Sequence, residues 1–119
     1  MYFDLFRREP IIRVLGAGEV LFGEGEPCNG EMYVLVCGIA DILVHGRCVE
    51  TAESGAILGE MTMVDDAPRA ATVTTRTECR VAVIDRQRFE FLVSQTPGFA
   101  NEVMRVMARR LRRKGDMLP

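Results

Sequence analysis

Gly55-Ala56-Ile57-Leu58-Gly59-Glu60-Met61-Thr62-Met63-Val64-Asp65-Asp66-Ala67-Pro68-Arg69-Ala70-Ala71-Thr72-Val73 stands between two strand-like runs and breaks the pattern on both sides of it. A glycine followed by a short helical turn offers bare backbone N–H groups to an anion. An arginine arriving from the far side of such a loop can clamp phosphate oxygens through two parallel N–H donors. A carboxylate on the same turn can accept hydrogen bonds from sugar hydroxyls, as acids do in dinucleotide sites. One acid, one arginine and one helix start therefore suit a small sugar-phosphate carrying a single negative charge. Each residue also has a plainer use: Glu60 as a surface acid on a turn, Arg69 as a solvated or salt-bridged strand residue.

Outward from this stretch the chain is rich in β-forming residues punctuated by glycine. Strands are expected over 11–15, 20–22, 32–37, 39–44, 48–51, 70–75 and 79–84. Between them lie turn signals, Gly16-Ala17-Gly18, Gly23-Glu24-Gly25, Gly38, His45-Gly46 and Glu53-Ser54-Gly55. Many short strands at this spacing point to a sandwich, jelly roll or barrel. Gly16-Ala17-Gly18 is not a dinucleotide fingerprint, since the third glycine would fall at Leu21 and no long helix comes after it. A short helix is expected over 2–9, ended by Pro10. After 85 the period changes. Phe89, Leu92 and Val93 are spaced as on a helix, and Phe99, Val103, Val106, Met107 and Leu111 form a second stripe after Thr96-Pro97-Gly98. The expectation is one domain over 1–119: a short N-terminal helix (2–9), a mainly β roll (11–85) and two helices (86–114).

Composition narrows the chemistry. The 119 residues are 48% apolar and 27% charged, which suits a folded core and excludes disorder. No apolar run approaches the roughly 20 residues a membrane span needs, and the N-terminal charges come after the short apolar stretch instead of preceding it. The expected location is the cytoplasm, with no membrane partner. Cys28, Cys37, Cys48 and Cys79 contain no close pair of the C-x-x-C kind, and His45 is the single histidine, so no metal site is expected. The thiols are expected to act as buried small hydrophobes, with a disulfide as the alternative. Catalysis on a phosphodiester would need a metal cluster or a nucleophile–base pair, and neither pattern occurs; no catalytic residue and no cofactor are assigned. Residues 1–104 hold nine Lys/Arg against sixteen Asp/Glu, while Arg105, Arg109, Arg110, Arg112, Arg113 and Lys114 come next without an acid among them. These cations suit the negative end of a helix dipole better than a nucleic-acid face, because the rest of the surface would repel phosphate.

The run G-E-x₇-P-R-A-A-T-V over residues 59–73 resembles the phosphate-binding cassette of cyclic-nucleotide-binding domains, the superfamily of catabolite activator and Fnr-type regulators, cAMP-dependent kinase regulatory subunits and cyclic-nucleotide-gated channels. Gly18-Glu19-Val20-Leu21-Phe22, Glu24-Gly25-Glu26-Pro27, Met32-Tyr33-Val34-Leu35-Val36-Cys37-Gly38 and Met107-Ala108-Arg109-Arg110-Leu111 resemble further family phrases in the same order, so the likeness covers roughly residues 10–113. The resemblance implies a β-roll closed by helices and a ligand site. In it Gly59 allows close backbone approach, Glu60 binds the ribose 2′-hydroxyl, Met61 and Thr62 offer N–H groups to the cyclic phosphate, and Arg69 neutralises it. Ala70 and Ala71 line the phosphate end. Family members that prefer cGMP often carry threonine directly after the arginine; Ala70 has no hydroxyl, so cAMP is the expected ligand and cGMP the alternative.

The chain departs from the family in three places. Leu58 replaces a frequent aromatic residue, and Thr62 stands where alanine or glycine is common. The hydroxyl residues with which the bacterial regulators read adenine would fall at Lys114 and Gly115, leaving Arg110 or Arg113 as the candidates for a lid over the purine. Beyond that point stand only Gly115-Asp116-Met117-Leu118-Pro119, too few for a DNA-reading helix, so the expectation is a stand-alone or excised sensor acting on a separate effector or output domain, without direct DNA contact. The competing expectation is a non-binding interaction module of the same fold, homodimeric through Phe99, Val103, Met107 and Leu111.

Overall fold

The computed structural model describes residues 6–116, with side chains described to residue 113. Among the described residues, eight strands form two antiparallel sheets. They are β1 (Ile12–Leu15), β2 (Val20–Phe22), β3 (Met32–Cys37), β4 (Ala40–Val44), β5 (Arg47–Ala52), β6 (Ile57–Leu58), β7 (Thr72–Thr75) and β8 (Cys79–Ile84). One sheet has the order β1-β8-β3-β6 and the other β2-β7-β4-β5, the β-roll expected from the sequence. A 3₁₀ turn (Glu60–Met63) lies between β6 and β7; α1 (Arg86–Gln95) and α2 (Pro97–Asp116) come after β8. Of the N-terminal helix expected over 2–9, residues 2–5 lie outside the described residues. From Phe6 the chain turns, closed by Glu9 N–H donating to the Phe6 carbonyl at 3.2 Å.

Strand β3 shows why the continuous apolar run Met32-Tyr33-Val34-Leu35-Val36 is needed: it is covered on both faces. Side chains alternate across a strand, so Tyr33 and Leu35 point one way and Met32, Val34 and Val36 the other. Tyr33 and Leu35 join Val81, Val83, Ile42, Val73 and Leu58 in the core between the sheets. Met32, Val34 and Val36 join Ala82, Ile84, Leu92, Phe99, Val103 and Val106 in a second core, under the helices. β8 pairs with β3 from Met32↔Ile84 to Cys37↔Arg80 and alternates in the same phase. The outer sheet is covered on one side only. In β5 five of six residues are half-buried or exposed, and the strand pairs with β4 alone. A two-residue turn, His45-Gly46, joins β4 to β5; both residues have positive φ (52° and 76°), the conformation whose twist matches an antiparallel hairpin.

The helices begin where their chemistry dictates. Asp85 caps α1 by accepting from Arg88 N–H at 2.7 Å. Pro97 opens α2, where its missing N–H costs nothing. Phe99, Val103 and Val106 of α2 are buried, and the Phe99 ring meets Phe6 and Phe89 at centroid distances of 5.3 and 5.8 Å. The stripe offered by sequence as a dimer seam is thus largely consumed within the fold; Leu111 alone of its four residues is exposed, at 53%. The cysteines also depart from expectation. All four are free thiols, Cys79 is buried, Cys28 is half-buried, and Cys37 and Cys48 are exposed. Cys37 ends β3, and Cys48 sits on β5, an edge strand paired on one side only. No helix among the described residues is long and apolar enough to cross a membrane. Because Phe99 fills the junction of helices and roll, Phe99→Ala is expected to lower the unfolding free energy by about 3–5 kcal/mol in chemical denaturation. A loss under about 1 kcal/mol would show that this junction is not packed as described.

Candidate functional site

β6, only two residues long, delivers the chain into the 3₁₀ turn through Gly59. Its φ of 71° and ψ of 26° place it in the left-handed region, and it stands directly before the turn. A Cβ there would lie 2.7 Å from Arg69 Nη1 and 3.2 Å from the Phe22 ring, so Gly59 is also the residue that lets Arg69 in. The sequence assigned that glycine to ligand approach; in the structure it first makes room for the arginine.

Arg69 enters from the other end of the loop. Its backbone is fixed to the loop after β2 by Arg69 N–H donating to the Glu26 carbonyl and Gly25 N–H donating to the Arg69 carbonyl, each at 2.8 Å. The residue is 7% exposed. Its guanidinium donates to Asn29 Oδ1 at 2.7 Å, the Glu31 carbonyl at 2.9 Å and the Gly59 carbonyl at 3.4 Å, and lies 4.4 Å from the centre of the Phe22 ring. Every one of these acceptors is uncharged. Asn29 Nδ2 in turn donates to Glu31 Oε1 at 3.2 Å, so the nearest carboxylate of this network reaches Arg69 only through an amide. A buried cation held by neutral partners is costly unless an anion joins it.

A cavity of about 150 Å³ is lined by Gly59, Glu60, Met61, Thr62, Arg69, Ala70 and Ala71 and by Phe22, Cys28, Ile42, Val44 and Leu58. All seven residues singled out in the loop therefore come together. Arg110, Leu111 and Arg113 of α2 line it too, so both sequence candidates for a lid stand at the site as well. Thr62 is buried; its N–H makes a long 3.4 Å bond to the Gly59 carbonyl, and its Oγ1 has no hydrogen-bond partner among the described residues. Its carbonyl accepts from Arg86 Nη2 at 2.9 Å, tying the turn to the first residue of α1.

Glu60 is 3% exposed and does not face solvent, as a plain turn acid would. It forms an ion pair with Arg110 Nη1. Arg110 also grips Glu50 on β5, Nε to Oε1 at 3.1 Å and Nη2 to Oε2 at 2.9 Å, and Arg113 Nη1 donates to Glu50 Oε1 at 2.9 Å. Burial alone would raise the Glu50 pKa, but hydrogen bonds and charge from Arg110 and then Arg113 override it and hold the carboxyl down at about 2. Burial likewise disfavours charge on Arg110, and the two carboxylates outweigh it, so its pKa is raised.

Sequence reasoning misses Phe22, Asn29 and Glu50. Phe22 and Asn29 sit in segments that read as strand end and turn, and Glu50 reads as an exposed strand acid; none carries a local sign of a partner 40 or more positions away. Among the described residues no group of three or more His, Cys, Asp or Glu is placed to hold a metal ion.

Comparison with known proteins gives this geometry its context. The family model described as "Cyclic nucleotide-binding domain" matches residues 12–96. The "CRP-like cAMP-activated global transcriptional regulator" of Mycobacterium tuberculosis is 30% identical over 108 residues, covering 85% of this chain and 47% of that protein. The "cAMP-dependent protein kinase regulatory subunit" of Pyricularia oryzae is 36% identical over 78 residues, covering 64% of this chain and 20% of that one. This chain thus spans about half of the first relative and a fifth of the second. The crystal structure of the Thermus thermophilus catabolite activator protein superposes with a TM-score of 0.78 at 22% identity, over 94% of this chain and 55% of that chain, which shows the shared fold. With the β-roll, the loop with its glycine, acid and arginine, and the matching sequence all in agreement, the chain belongs to the cyclic nucleotide-binding domain family.

Proposed function

We propose that this chain is a cyclic-nucleotide sensor that takes cAMP in preference to cGMP, and that α2 is both its lid and its output element. The observation that carries the proposal is Arg69: a buried guanidinium, bonded to neutral acceptors, lining a cavity whose other polar wall is Glu60. A cyclic phosphate carries the single negative charge that such a site lacks, and its two free oxygens suit the arginine fork. Met61 and Thr62 supply N–H groups from the turn, Thr62 Oγ1 adds a donor that has no protein acceptor among the described residues, and Ala70 and Ala71 leave space at the phosphate end. Glu60 has two oxygens; one holds Arg110 and the other can accept from the ribose 2′-hydroxyl. The base then lies toward α2, beneath Arg110 and Arg113. Ala70 offers no hydroxyl to a guanine amino group, which favours adenine.

The relatives couple such domains to other segments of much longer chains, and we infer an effector or output domain as the partner here. Nucleotide binding would bias a two-state equilibrium of α2, between seated and released, that the partner reads, with a coupling of about 1–3 kcal/mol.

Isothermal titration of nucleotide-stripped protein checks the reading. One cAMP per chain is expected, bound more tightly than cGMP. Arg69→Ala should weaken cAMP at least about a hundredfold with the fold intact, because a charge-assisted, desolvated contact is lost. Glu60→Ala should weaken it by about tenfold or more. Equal binding by wild type and Arg69→Ala would overturn the site. Asn29→Ala tests the support behind Arg69: releasing one guanidinium nitrogen should cost about three- to tenfold in cAMP affinity, about one hydrogen bond's worth. No change would show that Phe22 and the two carbonyls position Arg69 without it.

A further inference from the structure

Helix α2 is attached to the roll in two chemically different ways. Its first half is held by burial: Phe99, Val103 and Val106 are at most 4% exposed and belong to the core under the helices. Its second half opens with Met107, half-buried against that same core, and none of residues 108–113 is buried. Leu111 is 53% exposed, and the described polar attachments there run through Arg110 and Arg113 to Glu50 and Glu60. Glu50 contributes most of them. Its carboxylate accepts both donors of the Arg110 fork and a third from Arg113, while Arg113 Nη1 also reaches the Val49 carbonyl at 3.4 Å. The four side chains balance in charge, and those of Glu50 and Arg110 are 18% and 14% exposed, so solvent screens them only partly.

Glu50 does not line the cavity; the two arginines it holds do. We propose that Glu50 is a positioning residue, the anchor that keeps the distal half of α2 across the cavity mouth before any ligand arrives. It rests on the cyclic-nucleotide reading only for its effect on binding; closure itself is a property of the ligand-free chain. The arrangement also separates two tasks. Glu60 lies in the cavity wall and faces a ligand, whereas Glu50 lies behind the arginines. When a sugar hydroxyl shares the Glu60 carboxylate with Arg110, the arginine still has both oxygens of Glu50 as partners.

Amide hydrogen exchange on the ligand-free protein tests the anchor. In Glu50→Gln the amides of residues 108–113 should exchange about tenfold or more faster than in wild type, with those of 97–104 and of the roll unchanged. Glu50→Asp keeps the charge on a shorter arm and should restore part of the protection. Arg113→Gln removes one bond of the cluster and should give a smaller opening in the same segment, which keeps the test available if Glu50→Gln folds poorly. Unchanged exchange at 108–113, or an equal rise throughout the molecule, would overturn the proposal, since an anchor acts locally. In stopped-flow with cAMP, Glu50→Gln should release the nucleotide about tenfold faster while still binding it, unlike Arg69→Ala. Because exchange is read without nucleotide, absence of cAMP binding would overturn the sensor reading and leave the anchor standing.

Discussion

A positive charge has been brought into the protein and bonded, among the described residues, to no carboxylate. Arg69 is almost wholly buried, yet its guanidinium meets an amide oxygen, two backbone carbonyls and the face of a phenyl ring. Much of the local structure exists to accommodate it. Gly59 must lack a side chain, Phe22 must offer its ring, the loop after β2 must clamp the Arg69 backbone, and Asn29 must turn its carbonyl inward while passing its amino group to Glu31. Neutral acceptors keep the arginine oriented without cancelling its charge. That combination suits the anion-binding role proposed for Arg69 better than it suits stability, because no partner among the described residues neutralises the charge.

The opposite side of the cavity obeys a different rule. There the charges are matched, two carboxylates against two arginines, and the match links three pieces of chain distant in sequence: the edge strand β5, the turn after β6 and the last turns of α2. The cavity thus has one wall with a charge to satisfy and one whose charges satisfy each other. A ligand that supplies an anion to the first and a hydroxyl to the second touches both, and the second is attached to the helix that also packs, through Phe99 and Val103, on the core beneath β3 and β8. Arg86, bonding the Thr62 carbonyl, gives the turn another connection to the helical layer.

Much of this is legible in the chain itself, for identifiable reasons. Strands such as β3 and β8 announce themselves by unbroken apolar runs, and the change to a helical period after residue 85 marks the layer that covers them. The loop between β6 and β7 is compact, so its glycine, acid and arginine lie within eleven residues and keep their spacing in sequence. β6 is lost within that loop because two residues make no pattern. Asn29 and Glu50 are invisible for another reason: each acts on an arginine 40 and 60 positions away, and nothing local distinguishes them from a turn residue and a strand-surface acid. The apolar stripe of α2 is visible, but its destination is not. Periodicity reveals that a face is apolar and not whether the roll or a second copy covers it. The cysteines mislead because a residue type that usually seeks burial falls here at strand ends and on an edge.

The pairing of β4 with β5 slips between Ile42 and Leu43: Cys48 stands opposite Leu43, yet Glu50, not Val49, stands opposite Ile42. Residues opposite each other in an antiparallel pair point to the same face, and Ile42 points into the roll. A regular ladder would have put Val49 opposite Ile42 and Glu50 opposite Asp41, on the outer face; with the slip, Val49 still packs against the core between the sheets and Glu50 shares the side of Ile42. One extra residue in an edge strand, a β-bulge, shifts the phase of the residues beyond it and turns the carboxylate toward the helix. The bulge is therefore a sighting device: it uses a backbone irregularity beside Ile42, a residue of the cavity wall, to decide which side of the molecule an acid serves. A relative with the same acid but a regular strand would carry the charge on the wrong face, so equivalence across the family is better judged from the phase of this strand than from the identity of the residue.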